Sequence, residues 1–95
     1  MKKNPPVLKK KLPKGIHGFT FNDGSIHINK ELSPVQQKIA LSHEMVHRDQ
    51  IERGDLSYDE KYIYWKNKKY PRRGMKEGAH NLPWEKEAYN KQKKS

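Results

Sequence analysis

One long helix with clear start and stop signals is the feature that most constrains this chain. Ser33 can cap the helix, Pro34 suits its first position, and Gln36 completes an S-x-x-Q capping box. Gly54 supplies the stop signal, so the pattern predicts a helix from residue 34 to about residue 53.

The apolar face of this helix is centred on His43 and His47. At about 100° per residue the two histidines lie about 40° apart and one turn along, so both imidazoles can reach one ion. The projection puts Val35, Ile39 and Val46 on one flank of the pair and Ala40 and Ile51 on the other. It puts Lys38, Arg48 and Asp49 on the opposite side of the helix.

The two histidines belong to an H-E-x-x-H motif, His43-Glu44-Met45-Val46-His47. Zinc accepts neutral imidazole nitrogens, and the position of Glu44 beside the ligands lets its carboxylate take a proton from a zinc-bound water. The motif therefore predicts a Zn²⁺ site with Glu44 as the general base of a hydrolase. The alternative interpretation is that the motif arises by chance and that its histidines are two ordinary core or surface residues.

Composition supports a metal for a different reason. Only 32% of the residues are hydrophobic, and a core this thin often needs a disulfide, a metal or a partner. Cysteine is absent, which excludes disulfides and thiolate ligands. Histidine and carboxylate side chains would therefore have to supply every protein ligand.

The third ligand is not decided by spacing alone. The candidates after the helix are Asp55, Asp59, Glu60, Glu77, His80, Glu85 and Glu87. Glu85 and Glu87 lie in a predicted C-terminal helix that starts at Asn81-Leu82-Pro83, and there they point about 200° apart, so only one can face the metal.

The motif, followed by Glu85-x-x-Ala88, resembles the gluzincin branch of the zincin metallopeptidases. The stretch from 16 to 92 is also similar to small phage and bacterial proteins with an H-E-x-V-H helix and a P-[WYL]-E-x-E-A ending. The resemblance implies a zincin-like fold, peptide hydrolysis, and Glu85 as third ligand, with Glu87 as the rival position. In this branch an acid often stands four residues after the third ligand and partners the first histidine. Here that position holds Tyr89, which can replace the usual carboxylate partner or leave the first histidine without one.

The remaining segments predict an α+β domain with small hairpins packed on the metal helix. Residues 15–30 predict one hairpin, around the turn Asn22-Asp23-Gly24. Residues 62–69 favour a second, although Ser57 with Glu60 can also cap a short helix there. Residues 70–82 predict a loop.

Charge divides the chain into a body and two basic ends. The net charge is +10, yet residues 15–90 hold 12 basic and all 11 acidic side chains, a net of +1. We interpret 1–14 as an extended basic arm, 15–92 as the metallopeptidase domain and 93–95 as a basic tail, with both ends flexible. No signal peptide or membrane span is predicted, so we expect a cytoplasmic protein, in the host cytoplasm or in a virion if phage-encoded.

Partners follow from these features only as expectations. The resemblance implies that a peptide substrate adds a strand at the sheet edge above the metal helix, here an edge formed by residues 25–29. The candidates for a second oxyanion donor are Tyr62, Tyr64, Tyr70 and His80. The Lys-rich ends predict contact with nucleic acid or acidic protein, and a second basic cluster lies between Lys66 and Lys76 beside Trp65 and Tyr70. The alternative function is a non-catalytic zinc-stabilised module, associated with nucleic acid or with a virion.

Overall fold

The computed structural model describes residues 5–76 and 78–92, which form an α+β domain as predicted. Two helices and two three-stranded sheets lie in this part of the chain. In chain order the elements are β1 (Val7–Lys10), β2 (Gly18–Thr20), β3 (Ile26–Asn29), α1 (Pro34–Glu52), β4 (Leu56–Tyr58), β5 (Tyr62–Trp65), β6 (Lys68–Pro71) and α2 (Pro83–Lys91).

The capping signals of α1 act as predicted. The backbone N–H of Gln36 donates to the Ser33 hydroxyl, and the Gln36 amide oxygen accepts from the Ser33 N–H, which completes the capping box. The helix ends at Glu52, and Gly54 follows with φ +84°, in the left-handed region that favours glycine.

The first sheet has the strand order β1-β3-β2. The predicted hairpin is confirmed, because β2 and β3 pair antiparallel. Two expectations need correction. Part of the supposed arm is strand β1, which pairs in parallel with β3, so the domain does not begin at residue 15. Because β3 is paired on both sides, residues 25–29 do not form a free edge, and the exposed edge of this hairpin is β2.

The second sheet has the order β4-β5-β6 and confirms the second hairpin. Its turn residues Lys66 and Asn67 have φ values of 47° and 69°, as in the tight turns that suit two-residue hairpins. The competing short helix at Ser57 is wrong, because Ser57 lies in β4 and pairs with Tyr64. A strand before β5 was not predicted.

Two small cores lie on either side of α1. Ile26, Ile28 and Ala40 are buried between the first sheet and α1. Leu56, Ile63, Trp65 and Trp84 form the second core, between the second sheet and α2. α1 packs against β2 and β3 and also against α2 and β4, so it joins the two halves.

Arg48 corrects the predicted exposed face of α1. Lys38 and Asp49 are exposed as expected, but Arg48 is buried, while Val35, placed on the apolar face, is 54% exposed. The Arg48 guanidinium donates from Nε to the carbonyl of Gly24 at 2.8 Å and from Nη2 to that of Pro5 at 2.9 Å. It therefore fastens the N-terminal segment and the first hairpin to α1.

Two further expectations concern the tails of the chain and a membrane span. Residues 1–4 and 93–95 of the predicted tails lie outside the described residues. Neither α1 nor α2 is long and apolar enough to span a membrane.

Candidate metal centre

Three side chains from two helices converge on one point. His43 and His47 on α1 each direct Nε2 toward Oε1 of Glu85 on α2, at 2.9 and 3.1 Å. The three candidate ligand atoms all lie within 4.8 Å of one another. Within residues 5–76 and 78–92 this is the group of histidine and acidic side chains with the spacing of a metal site.

The donor set fits zinc in chemistry, and its two N···O distances also suit zinc. Two imidazoles and a carboxylate are a common set of protein ligands at catalytic zinc, which keeps its fourth position open. Ligand atoms held tetrahedrally at ~2.0–2.1 Å from a zinc ion are about 3.3 Å apart, close to the two observed N···O distances. The three side chains are also well shielded, with between 9% and 12% of each side chain exposed.

Each histidine also has an amide partner at its other ring nitrogen. Nδ1 of His43 lies 2.7 Å from Oε1 of Gln92, and Nδ1 of His47 lies 2.8 Å from Oε1 of Gln50. An amide oxygen only accepts, so each Nδ1 carries the proton, and the Nε2 lone pair of the neutral ring is left for a metal. His43, the first histidine of the motif, therefore has a hydrogen-bond partner, although Tyr89 rather than an acid stands four residues after Glu85.

Sequence reasoning missed both glutamines, and for the first histidine it left open whether Tyr89 replaces the usual carboxylate partner or leaves its place unfilled. The Tyr89 ring packs edge-on against His43, with ring centroids 4.5 Å apart, and its hydroxyl donates to the carbonyl of Gly78 at 2.9 Å. The signals for the glutamines were their spacings. Gln50 follows His47 by three residues and Gln92 follows Glu85 by seven, so each shares a helical face with a ligand.

The rival ligands lie elsewhere. Glu87 accepts from Nε2 of Gln50 at 2.7 Å and from Nη2 of Arg53 at 2.6 Å. Burial opposes its ionisation, but the hydrogen bonds from Gln50, Arg53 and Lys91 hold the pKa of Glu87 at about 2.

The other candidates are also away from the centre. The His80 ring stacks on Tyr89 at a centroid distance of 3.6 Å. Asp55 accepts from Arg53, and Asp59 accepts from the Tyr64 hydroxyl. Glu60 is exposed, and Glu77 lies outside the described residues.

Glu44 lies beside the ligands and is held by the first sheet. The Thr20 hydroxyl is 2.8 Å from Oε1 of Glu44, and both residues are buried. Burial raises the pKa of Glu44, partly opposed by the nearby His47 and by the Thr20 hydrogen bond. Gly18 makes this close packing possible, because a Cβ there would lie 3.1 Å from Cγ of Glu44.

A cleft of about 720 Å³ opens over these groups, between the two sheets. Residues 15–20 line one side of it, and Leu56, Ile63, Arg72 and Trp84 are among those lining the other. None of the four predicted oxyanion donors lines this cleft; Tyr58 and Tyr89 are the tyrosines that do.

The aromatic residues of the second basic cluster do not form an exposed stacking surface. Trp65 is buried, with its ring 6.3 Å from that of Trp84. Tyr70 is half-buried and packs edge-on against the same tryptophan, at 5.2 Å. Their rings are therefore part of the second core, and the predicted base-stacking role of this cluster is not supported.

The chain matches no known family model, no curated protein and no solved structure. Function therefore has to be inferred from the residues and the geometry of the centre.

The metal-free centre has its own pH dependence. Burial works against ionised Glu85, but the hydrogen bonds from His43 and His47 outweigh it and lower the pKa of Glu85 to about 2. Burial likewise opposes a charged His47, but Glu85 outweighs it and raises the pKa of His47 above its usual 6.5. The Glu85 contribution to stability is present above pH 4.5 and is lost as pH falls toward 2. The His47 contribution is present below pH 6.5 and is lost as pH rises through its raised pKa.

We therefore expect Glu85→Gln to destabilise the metal-free protein most between pH 4.5 and pH 6.5. The measurement is thermal unfolding of both proteins in excess chelator across this range and beyond it on each side. A difference that is independent of pH would contradict the ion pair.

Proposed function

We propose that this protein is a zinc-dependent metallopeptidase that hydrolyses peptide bonds. The observation that carries the proposal is the convergence of His43, His47 and Glu85 in a cleft that also contains the Glu44 carboxylate. A purely structural zinc site closes all four positions with protein ligands, whereas three ligands and an adjacent carboxylate in an open cleft favour catalysis.

The three ligands would hold the ion through Nε2 of each histidine and a carboxylate oxygen of Glu85. Zinc, when bound, supplies Lewis acidity that polarises the scissile carbonyl and makes water a nucleophile at neutral pH. The second core and α2 keep the ligands in place, because Trp84, adjacent to Glu85, is buried against the second sheet.

Glu44 acts as the proton carrier. The Thr20 hydroxyl donates to Oε1, so Oε2 is the atom that takes the proton from water and passes it to the leaving amine. In the metal-free protein burial raises the pKa of Glu44, and a bound cation beside it would favour the ionised form that takes a proton from water.

The substrate is expected to bind along β2. This strand is at the edge of the first sheet, and residues 15–20 line the cleft, so an extended peptide can pair with its free backbone groups. The facing wall includes Leu56, Ile63 and Arg72. Leu56 and Ile63 are packed in the second core, and Arg72 donates from Nη1 to the carbonyl of Asp59 at 2.7 Å.

Gly18→Ala should slow hydrolysis without removing zinc. The new Cβ would lie 3.1 Å from Cγ of Glu44, the backbone oxygen of His27 and Cδ1 of Ile28. These neighbours must give by a few tenths of an ångström, and we expect the Glu44 side chain to shift with them. We expect a fall in kcat of about tenfold, below the ~100-fold that a 1 Å misplacement can cost. Steady-state kinetics and metal content of the variant test this, and an unchanged kcat would contradict the positioning of Glu44 by β2.

The proposal is tested by exposing a library of unstructured peptides to the zinc-loaded protein and identifying products by mass spectrometry. We expect cleavage that stops with chelator, returns on adding one equivalent of zinc, and is absent in Glu44→Gln. Zinc binding without any cleavage would contradict the proposal and support the zinc-stabilised module instead.

A further inference from the structure

A chain of hydrogen bonds leads from the surface of the protein to His47. Arg53 donates from Nη2 to Oε1 of Glu87 at 2.6 Å, and the same oxygen accepts from Nε2 of Gln50 at 2.7 Å. Oε1 of Gln50 then lies 2.8 Å from Nδ1 of His47. Four side chains are thus connected in series, and only the last belongs to the group of His43, His47 and Glu85.

The orientation of the Gln50 amide is fixed by its surroundings. Gln50 is fully buried, and its Nε2 lies 3.0 Å from the carbonyl oxygen of Trp84 as well as 2.7 Å from Glu87. A carbonyl and a carboxylate can only accept, so the amide nitrogen has to point at them. The amide oxygen consequently faces His47, which must donate from Nδ1.

Glu87 controls how firmly this orientation is held. Without Glu87 the amide keeps one acceptor, the Trp84 carbonyl, and its strongest anchor is lost because charge-assisted hydrogen bonds exceed neutral ones. Arg53 in turn holds Glu87, while Asp49 and Asp55 also accept from Arg53. These two aspartates contact the same guanidinium but lie outside the series that ends at His47, so they provide matched controls.

We propose that Glu87, held by Arg53 and acting through Gln50, is a positioning residue that keeps Nε2 of His47 directed at the metal and so sets the zinc affinity of the centre. The inference rests on the zinc site of the proposed function. Glu87 touches neither the metal nor the substrate. Because the Gln50 amide lies between Glu87 and His47, the charge of Glu87 is not placed next to the imidazole ring. This differs from a histidine that donates directly to a carboxylate.

Zinc affinity of the full-length chain, measured by competition with a chromogenic chelator, tests the role of this series. Losing a hydrogen-bond partner of a ligand costs roughly 10–100-fold in metal affinity, so we expect a loss in that range for Gln50→Leu and about tenfold for Glu87→Ala. Glu87→Gln keeps an acceptor for Gln50 and should recover most of the affinity. Asp55→Asn, which breaks an ion pair to the same arginine, should stay within about twofold of the wild type.

A second readout separates positioning from general stability. The Nδ1–H proton of His47 should give a slowly exchanging NMR signal in the zinc-loaded wild type and in Asp55→Asn. It should exchange faster in Glu87→Ala. Equal zinc affinity and equal exchange in Glu87→Ala and the wild type would overturn the inference while leaving the zinc site intact. Failure of the wild type to bind zinc would instead contradict the proposed function itself.

Discussion

Glu44→Gln is expected to bind zinc like the wild type and to hydrolyse peptides about 10²–10⁴-fold more slowly, the usual contribution of a general acid–base group. The amide has nearly the shape of the carboxylate, so Thr20 can still donate to its oxygen, but it cannot take a proton from water. The three ligand side chains are unchanged, which is why metal binding should survive.

The matching experiment measures zinc affinity and kcat/KM of both proteins on one cleaved peptide. Thr20→Ser, which keeps a hydroxyl at the same position, is the control that should retain most of the activity. Turnover that survives in Glu44→Gln would show that another group carries the proton.

Glu85→Ala is expected to lower zinc affinity by more than the roughly 10–100-fold that loss of an outer partner costs, because it removes a direct ligand. Glu85 supplies the carboxylate of the centre, and both histidines point at the same one of its oxygens. The two imidazoles that remain would bind zinc weakly, and hydrolysis should disappear with the metal.

Glu87→Ala is the matched control for this substitution, since it removes a carboxylate from the same helix two residues away. It should retain zinc with an affinity between that of the wild type and that of Glu85→Ala. A larger loss in Glu87→Ala than in Glu85→Ala would reverse the assignment of the third ligand.

The parts of the fold set by local signals could be predicted from the sequence. The capping box and Gly54 set the ends of α1, and alternation around Asn22-Asp23-Gly24 gave the first hairpin. The spacing of His43 and His47 depends only on helical geometry, so their shared face was predictable as well.

Long-range contacts account for what could not be predicted. Strand β1 lies in a lysine-rich segment with little β signal, and it forms because β3 offers a free edge. Arg48 is buried because two backbone carbonyls distant in sequence, of Gly24 and Pro5, accept its hydrogen bonds. The pairing of Gln92 with His43 depends on how α1 and α2 pack, which no local pattern contains.

The proposed zinc centre is tested most directly by X-ray absorption at the zinc edge of the protein loaded with one equivalent of zinc. We predict two imidazole nitrogens at ~2.0–2.1 Å, a carboxylate oxygen and a further light-atom ligand from solvent, and loss of this environment in Glu85→Ala. A shell of oxygen atoms without imidazole, or an unchanged spectrum in Glu85→Ala, would contradict a centre built from His43, His47 and Glu85.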